Sequence, residues 1–328
     1  MILTVSLNAA LDITHHVDRL RPHTAHRVRE VAARAGGKGV NVSRVLHALG
    51  HPTLVTGLAG GGTGAAVRRE LADGGLPERL VPIRGETRRT VAVVDAHTGD
   101  TTTLLEPGPV VLPEEWTRFR ESFEALLDRA TAVVLSGSLP PGLPEDAYAV
   151  LVRAARARAV PALLDTSGPA LLAALPAAPA LVKPNADELA EAAGRSGPSP
   201  ASGRCEPRLA ARAAAEALRA AGAEAVVASL GPDGLLAVTP HGTWRAVPPE
   251  RLRGNPTGAG DAAVAALSLG LAAAEPWPPR LAEAVALSAA AVAAPLAGSF
   301  DPAVHRRLRG RVDVQPLPRT PGETRCPS

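Results

Sequence analysis

The sequence predicts an α/β protein whose mostly parallel sheet is covered by helices on both faces and carries a small β-sheet lid. Short apolar runs alternate with helical stretches along the chain, and a glycine-rich or polar turn follows most of the runs. This alternation is typical of a parallel sheet with crossover helices. A Thr-rich hairpin at residues 87–105 interrupts it, because the hairpin is too polar for a buried parallel strand.

The first elements establish the alternation. Residues 1–7 form an apolar run that predicts a buried first strand, and residues 40–49 have helical spacing and end at Gly50, a suitable helix C-terminus. A strand at residues 53–58 and a helix at residues 65–72 follow. The mixed segments 13–20 and 25–33, together with the hairpin strands 87–95 and 101–105, do not fit the alternation. We therefore predict a lid formed by residues 12–34 and 86–106, inserted in the core.

The second half of the chain continues the same alternation. The predicted strands are 132–135, 162–164, 181–182 and 225–229, with a hairpin of residues 235–238 and 242–247. The predicted helices are 114–129, 146–157, 187–193, 210–221, 261–274 and 281–294. Residues 195–207 are rich in Ser, Pro and Gly, which indicates a surface loop. We predict one domain over residues 1–310 and a disordered tail over residues 311–328.

Composition excludes several classes of function. The 35 basic and 32 acidic residues leave a net charge of +3, and only 2% of residues are aromatic, so we expect no nucleic-acid partner. Cys205 and Cys326 lie in polar or terminal stretches, which indicates neither a disulfide framework nor a metal cluster. Residues 1–14 do not resemble a signal peptide, and no apolar stretch has transmembrane length. We expect a cytoplasmic protein with no membrane partner.

The scarcity of two residue types draws attention to a few positions. Arginine occurs 33 times, whereas the only lysines are Lys38 and Lys183. There are four asparagines, Asn8, Asn41, Asn185 and Asn255. Such a bias is typical of drift in nucleotide composition. The lysines and asparagines that survive it indicate positions where arginine or aspartate would not serve.

The segment GNPTGAGD at residues 254–261 runs into a predicted helix and is the most informative motif. Gly258, Ala259 and Gly260 would place backbone N–H groups at a helix start, which is suited to a transferring phosphate. Asp261 could take a proton from a substrate hydroxyl beside them. The alternative interpretation is a glycine turn in which Asp261 is an ordinary carboxylate of the first helical turn.

Two further turns carry the scarce residues. In AGGKGVN at residues 35–41, the backbone and Lys38 could bind sugar hydroxyls or a phosphate, or could form a tight turn with a solvated lysine. In the segment that starts at Lys183, Asn185 and Glu188 could bind Mg²⁺ through water molecules, or could cap a helix.

Other candidates for a binding site follow predicted strands or lie in the hairpin. Asn8 and Asp12 could hold sugar hydroxyls, Arg88 could pair with a substrate phosphate, and Ser138 could donate to substrate. Each also has a plain interpretation as a turn, cap or surface residue. The turn SLGPDG at residues 229–234 could hold nucleotide phosphates or could be a simple turn. A weak dinucleotide motif at residues 60–65 lacks the acidic strand end that such sites require.

Taken together, these segments resemble the pfkB (ribokinase-like) family of carbohydrate kinases, over residues 1 to about 310. The two signature regions are AGGKGVNVSRVLHALG at residues 35–50 and NPTGAGDAAVAAL at residues 255–267. The chain is most similar to the 1-phosphofructokinase and tagatose-6-phosphate kinase branch. The segments that indicate this branch are LNAALD, ETR, EPGP, SGSLPPGLP, DTSG, KPNADEL and SLGPDG, which begin at residues 7, 86, 106, 136, 165, 183 and 229.

The resemblance implies a three-layer αβα ribokinase-like core, a lid that often forms a homodimer contact, and MgATP-dependent phosphorylation of a sugar hydroxyl. It implies a general base at Asp261 and an amide anion hole at Gly258, Ala259 and Gly260. The implied sugar or sugar-phosphate contacts are Asp12, Gly37, Lys38, Asn41, Arg88 and Ser138. The implied nucleotide and Mg²⁺ contacts are Lys183, Asn185, Glu188, Ser229, Gly231 and Gly234.

Two departures from the branch lie near the sugar. Ala9 stands where a proline is usual after Asn8, and Thr90 stands where an asparagine is usual. They leave the identity of the sugar open.

The expected function is ATP-dependent phosphorylation of a ketohexose phosphate. The alternatives are a kinase of an unphosphorylated sugar or nucleoside, a non-catalytic sugar-phosphate sensor on the same fold, and a nucleotide-linked oxidoreductase that uses residues 60–65.

Overall fold

The computed structural model describes residues 1–196 and 207–318. Within them the strands are β1 (Ile2–Ser6), β2 (Ala10–Val17), β3 (Glu30–Gly36), β4 (Thr53–Gly60), β5 (Glu78–Ile83), β6 (Arg88–Asp95), β7 (Thr101–Leu105), β8 (Ala132–Ser136), β9 (Ala162–Asp165), β10 (Leu181–Val182), β11 (Val226–Ser229), β12 (Leu235–Thr239), β13 (Gly242–Val247) and β14 (Asp313–Leu317). The α-helices are α1 (Lys38–Ala48), α2 (Gly61–Asp73), α3 (Pro113–Leu127), α4 (Ala147–Ala157), α5 (Gly168–Ala174), α6 (Ala186–Ser196), α7 (Pro207–Ala220), α8 (Ala259–Ala272), α9 (Trp277–Val292) and α10 (Pro302–Leu308).

The main sheet confirms the predicted mostly parallel architecture. Its ten strands lie in the order β14-β13-β12-β11-β10-β9-β8-β1-β4-β5. All neighbours from β11 to β5 pair in parallel, and β12, β13 and β14 extend the sheet in antiparallel fashion. The short, apolar central strands are those expected where both faces of a parallel sheet are buried.

Alternation along the central strands divides the core into two layers. Val133 and Leu135 of β8 pack in the layer that includes Phe119 of α3, whereas Val134 points to the layer that includes Leu46 of α1. Helices α3 to α7 cover the first face, and α1, α8 and α9 cover the second. Because successive side chains of a strand point to opposite faces, an uninterrupted apolar run stabilises both layers.

A separate four-stranded sheet forms the predicted lid, in the order β3-β2-β6-β7. Its β2 and β6 are parallel and its outer pairs are antiparallel. The lid segments predicted over residues 12–34 and 86–106 contain most of these strands, although β2 starts at Ala10 and β3 ends at Gly36. The predicted segment 13–20 lies three residues too late for β2, and the predicted segment 25–33 starts five residues and ends three residues before β3. Their mixed polarity gives a weak period, so their ends could not be located from sequence.

Several elements differ from the prediction. Strand β5 and helices α5 and α10 were not predicted, and α6 and α7 extend into the predicted loop 195–207. The remainder of that loop, with Cys205, lies outside the described residues, as do residues 319–328 with Cys326. No helix in the described ranges is long and apolar enough to cross a membrane.

The predicted disordered tail is wrong for residues 313–317, which form β14. This strand pairs antiparallel with β13, with Thr243 opposite Leu317. Val312 and Val314 pack against the core, whereas the alternating residues Asp313 and Gln315 are exposed. This alternation has the period of a strand that covers one side of a sheet.

Candidate active site

The candidate residues converge on one edge of the main sheet, where the parallel strands reach their carboxyl ends. Asn8 and Ser138 follow β1 and β8, Asp165 ends β9, Lys183 follows β10, and Ser229 ends β11. The lid begins at the same edge, because β2 starts four residues after β1 ends. Ligands of α/β sheets bind at this edge.

Asp261 lies in the first turn of α8 and is only 7% exposed. Asn41 of α1 donates a hydrogen bond from Nδ2 to its Oδ2 at 2.9 Å. Burial, and next the charge of Asp165, raise the pKa of Asp261 to about 7, against the opposing effects of the Asn41 hydrogen bond and of Lys38 and Lys183. A carboxylate with this pKa is suited to accept a proton near neutral pH.

The GNPTGAGD segment forms the N-terminal end of α8. The helix starts at Ala259 and not at Asp261 as predicted, and Gly258 is its N-cap with a φ of 88°. The Ala259 amide donates to the Pro256 carbonyl at 3.2 Å. A Cβ atom at Gly260 would lie 3.7 Å from Nζ of Lys183. Backbone amides at a helix start beside a lysine favour an anion.

Asp165 connects the two lysines of the chain. Lys183 Nζ lies 3.3 Å from Oδ1 of Asp165, and Lys38 Nζ lies 3.5 Å from Oδ2. Lys38 also lies 3.8 Å from Oε1 of Glu188. Burial alone would lower the pKa of Lys38, but the charges of Asp165, Glu188 and Asp261 raise it above its ordinary value. Asp165 was not among the predicted site residues, although its place directly after a predicted strand was a usable signal.

Asn185 and Glu188 lie at the start of α6 and cap it reciprocally. The Asn185 amide donates to Oε2 of Glu188 at 2.9 Å, and the Glu188 amide donates to Oδ1 of Asn185 at 2.8 Å. The capping interpretation is thus correct for the backbone contacts. Oε1 of Glu188 instead faces Lys38. Oε1 accepts no helix-cap hydrogen bond, so it could take part in a water-mediated contact with Mg²⁺. No cluster of three metal-ligating side chains occurs in residues 1–196 and 207–318.

The turn after β11 lies beside this pair. Asn185 forms an isolated parallel bridge with Ser229. Gly231 and Gly234 have φ values of 58° and 86°. A Cβ atom at Gly234 would lie 2.0 Å from the Ala246 carbonyl oxygen, so the turn requires glycine there.

A second group of predicted residues lies at the base of the lid. Nε of Arg88 donates to the Asn8 carbonyl at 3.1 Å, and Nη1 donates to the Glu106 carbonyl at 3.2 Å. Nδ2 of Asn8 in turn donates to Oγ of Ser138 at 3.1 Å. These contacts fix Arg88 in place. A cleft of about 660 Å³ lies beside Arg88, between residues 84–89 and 106–112.

Asp12 lies in the lid sheet, in register with Arg34 of β3 and Thr90 of β6. Burial raises its pKa, although a hydrogen bond from Thr90 and the charge of Arg88 oppose the effect. A Cβ atom at Gly36 would lie 2.0 Å from Oδ2 of Asp12, so this carboxylate packs directly on the glycine turn. Gly37, the N-cap of α1, has a φ of 107°. The structure thus brings Asp12 and the AGGKG turn together.

The weak dinucleotide motif at residues 60–65 is occupied by the protein itself. The Glu86 carboxylate accepts hydrogen bonds from the amides of Gly62 and Thr63, at 3.2 and 2.5 Å. A carboxylate therefore fills the anion position at the start of α2. The geometry does not support the oxidoreductase alternative.

Residues 2–303 match the family model described as pfkB family carbohydrate kinase. The chain belongs to the pfkB family of carbohydrate kinases. It is therefore an ATP-dependent sugar kinase, a phosphotransferase, and the predicted fold and family are confirmed.

Several solved structures of sugar and sugar-phosphate kinases are similar to this chain. The tetrameric inhibited form of phosphofructokinase-2 from Escherichia coli has 29% identity and a TM-score of 0.85, covering 94% of this kinase and 98% of that chain. A possible 1-phosphofructokinase from Thermotoga maritima has 26% identity and a TM-score of 0.83, covering 97% and 100%. Ribokinase from Arabidopsis thaliana, solved with ribose and ATP, has 18% identity and a TM-score of 0.72, covering 94% and 98%, and shares the fold.

Proposed function

We propose that this kinase transfers the γ-phosphoryl group of ATP to a hydroxyl of a ketohexose phosphate, with Asp261 as the general base. The observation that carries the proposal is the setting of Asp261. This carboxylate is buried at the start of α8, has a pKa of about 7 and lies within one turn of Gly258–Gly260. A phosphoryl acceptor needs a base and an anion-binding position side by side.

The proposed reaction is an in-line attack of the sugar hydroxyl on the γ-phosphorus. Asp261 takes the hydroxyl proton as the new O–P bond forms, and the bond between the γ-phosphorus and the β–γ bridging oxygen breaks, leaving ADP. The helix-start amides of Gly258, Ala259 and Gly260 stabilise the charge on the transferred group. The lid excludes water. The amide of Ala259 must leave the Pro256 carbonyl to take part, since it donates there at 3.2 Å.

The sugar side of the site is proposed to comprise Asp12, Gly37, Lys38, Asn41, Arg88 and Ser138. Arg88 would pair with the phosphate of the substrate, because two backbone carbonyls hold its guanidinium in a fixed position. The phosphofructokinase-2 from Escherichia coli has been solved in complex with fructose-6-phosphate, which supports a sugar-phosphate substrate. The alternative is a kinase of an unphosphorylated sugar or nucleoside. That enzyme would have no use for an arginine fixed at this place.

The nucleotide side is proposed to comprise Lys183, Asn185, Ser229, Gly231 and Gly234, with Asn185 and Glu188 also holding Mg²⁺ through water. When bound, Mg²⁺ neutralises charge on the ATP phosphates. Lys183 is buried beside Gly260, which would place its charge near the transferred group. Lys38 contacts both Asp165 and Glu188, so it lies between Asp165 and the proposed metal-associated pair.

The lid is proposed to mediate a homodimer. Its strand β7 is exposed along its whole length, and Leu104 and Leu105 are 62% and 70% exposed. Val28 and Val31 are exposed on the same small sheet and its connecting loop. Strands β3 and β7 are the two outer strands of the lid sheet, so exposed apolar groups lie at both of its edges. Exposed apolar surface is typical of regions that another protein covers.

The proposal is tested by coupled ADP release with Asp261→Asn. We expect the kcat of this variant to fall about 100- to 10,000-fold, since the amide cannot accept the proton. ATP binding, measured by calorimetry, should remain. Asp128→Asn is the matched control, because Asp128 is exposed at the end of α3. An Asp261→Asn enzyme with unchanged turnover would show that Asp261 is not the base. Wild-type protein that binds ATP without turnover of any sugar would favour the sensor.

A further inference from the structure

Residues 293–300, which form most of the connection between α9 and α10, pack along the GNPTGAGD segment. Nδ2 of Asn255 donates to the Pro295 carbonyl at 3.3 Å. A Cβ atom at Gly258 would lie only 2.8 Å from the Cα of Ala297. The 293–300 segment therefore forms the wall behind the proposed anion hole, in direct contact with its first glycine.

The same segment also packs against α1. A Cβ atom at Gly298, whose φ is 72°, would lie 3.0 Å from Oδ1 of Asn41. Asn41 is the residue that donates to Asp261 at 2.9 Å. Because close-packed backbone transmits displacement, a shift of residues 297–298 would move both the anion hole and Asn41, the hydrogen-bond partner of Asp261.

One side chain from the lid sheet holds this segment. Nη1 of Arg34, on β3, donates to the Ala297 carbonyl at 3.0 Å, across 263 positions of sequence. The next residue, Ala35, is itself anchored to the core. Its amide donates to Glu70 at 3.1 Å, and Nη2 of Arg44 donates to its carbonyl at 3.1 Å. Arg34 therefore projects from a rigid base.

We infer that Arg34 is a positioning residue for phosphoryl transfer. Its side chain links strand β3 of the lid sheet to residues 293–300, the wall of the anion hole. The inference rests on the proposed role of Gly258–Gly260. Arg34 acts through Ala297 and need not contact substrate. Because the bond joins the lid sheet to the site where charge develops, the lid and the anion hole are held in one arrangement.

The first test is amide hydrogen exchange of the ligand-free protein, which does not depend on any catalytic assignment. In Arg34→Ala we expect faster exchange in residues 293–300, with the rest of the core unchanged. Arg158→Ala is the matched control, because Arg158 also donates to a backbone carbonyl, that of Glu124 at 2.7 Å, far from the site. Unchanged exchange of residues 293–300 in Arg34→Ala would overturn the inference.

The second test is kinetic. We expect Arg34→Ala to lower kcat about 10- to 100-fold with little change in the KM of sugar phosphate, because the anion hole is misplaced and substrate contacts remain. Arg34→Lys keeps a donor and should recover part of kcat.

Three kinetic outcomes would contradict the inference. A raised KM with normal kcat would make Arg34 a substrate ligand. Normal kcat and KM with only a lowered melting temperature would make its role structural. Equal losses in Arg34→Ala and Arg34→Lys would show that the donated hydrogen bond is not what matters. Failure of the proposed function would appear separately, as unaltered turnover in Asp261→Asn.

Discussion

At the scale of single residues, the site is organised around one buried carboxylate with opposing neighbours. Burial and Asp165 raise the pKa of Asp261, whereas Asn41 and the two lysines lower it. The balance leaves the pKa of Asp261 at about 7, so near neutral pH this carboxyl group can both accept and release a proton. Asp165 thus has two effects, since it holds both lysines and also keeps Asp261 from being fully ionised.

This balance predicts the pH dependence of the kinase. The base works in its ionised form, so kcat/KM should fall as pH drops through about 7, the pKa of Asp261 in the free protein. Asp165→Asn removes a negative charge that raises this pKa, and the acid limb should move to lower pH. Asn41→Ala removes a hydrogen bond that lowers it, and the limb should move to higher pH.

The measurement is a pH profile of kcat/KM for wild type and both variants. Asp128→Asn, remote from the site, should leave the limb where it is. Movement of the limb in the same direction for Asp165→Asn and Asn41→Ala would contradict the assigned causes.

Sequence reasoning reached many of these residues one at a time but not their pairings. The scarcity of lysine singled out Lys38 and Lys183, yet it gave no sign that both meet Asp165. Such contacts join the ends of separate strands, so only the fold brings them together. The Asn185–Glu188 capping pair was readable, because its partners lie three residues apart on one helix start.

At the scale of elements, β14 is a strand where the sequence predicted a disordered tail. The strand follows α10 and lies at the edge of the sheet. It is only five residues long, contains Pro316 and is followed by Pro318. Val314 faces the core and Gln315 faces away. Terminal segments are often poorly ordered, which was the basis for predicting a disordered tail. Pairing with β13 supplies the stability that the segment lacks alone.

We therefore expect Val314→Ser to destabilise the protein and Gln315→Ser not to. Loss of the Val314 contacts with the core should lower the free energy of unfolding by about 1 to 2 kcal/mol. The adjacent Gln315→Ser should change it by less than about 0.5 kcal/mol. Urea unfolding followed by circular dichroism measures both. Equal stabilities of the two variants would mean that β14 does not stabilise the core.

The lid shows the limit of periodicity at the element scale. Its hairpin was predicted at 87–95 and 101–105, close to β6 and β7, because a turn with Gly99 separates a Val-rich run from a Thr-rich run. Its other strands, β2 and β3, were misplaced, and the parallel pairing of β2 with β6 was not foreseen. A strand with mixed polarity can adopt several registers. Here the hydrogen bonds of Arg88 to the Asn8 carbonyl and of the Ala35 amide to Glu70 favour one register.

At the scale of the whole molecule, the alternation of strands and helices predicted a mostly parallel sheet but not the order of its strands. Alternating elements imply right-handed crossovers on both faces, but not which neighbour each strand takes. Here β1 pairs with both β4 and β8. The next strands of the main sheet, β4 and β5, lie on one side of β1, and the strands from β8 onward lie on its other side. The site lies at the ends of these central strands, which is why polar turns far apart in sequence meet there.

The proposed homodimer is a second consequence at this scale. If the lid of another copy covers Leu104 and Leu105, Leu105→Arg should convert the dimer to a monomer in light scattering. Leu209→Arg changes an exposed leucine of α7 and should leave the mass unchanged. Wild-type protein that is monomeric at working concentration would contradict a dimer through the lid.

The most direct test of the central claim is coupled ADP release with MgATP over a panel of sugars. The panel contains fructose 1-phosphate, fructose 6-phosphate, tagatose 6-phosphate, fructose, tagatose and ribose, assayed with wild type and Arg88→Ala. We expect turnover with a phosphorylated ketose, and a KM for it that rises at least about tenfold in Arg88→Ala, because a charged partner of the phosphate is lost. Turnover confined to a free sugar, with a KM that Arg88→Ala leaves unchanged, would contradict the account.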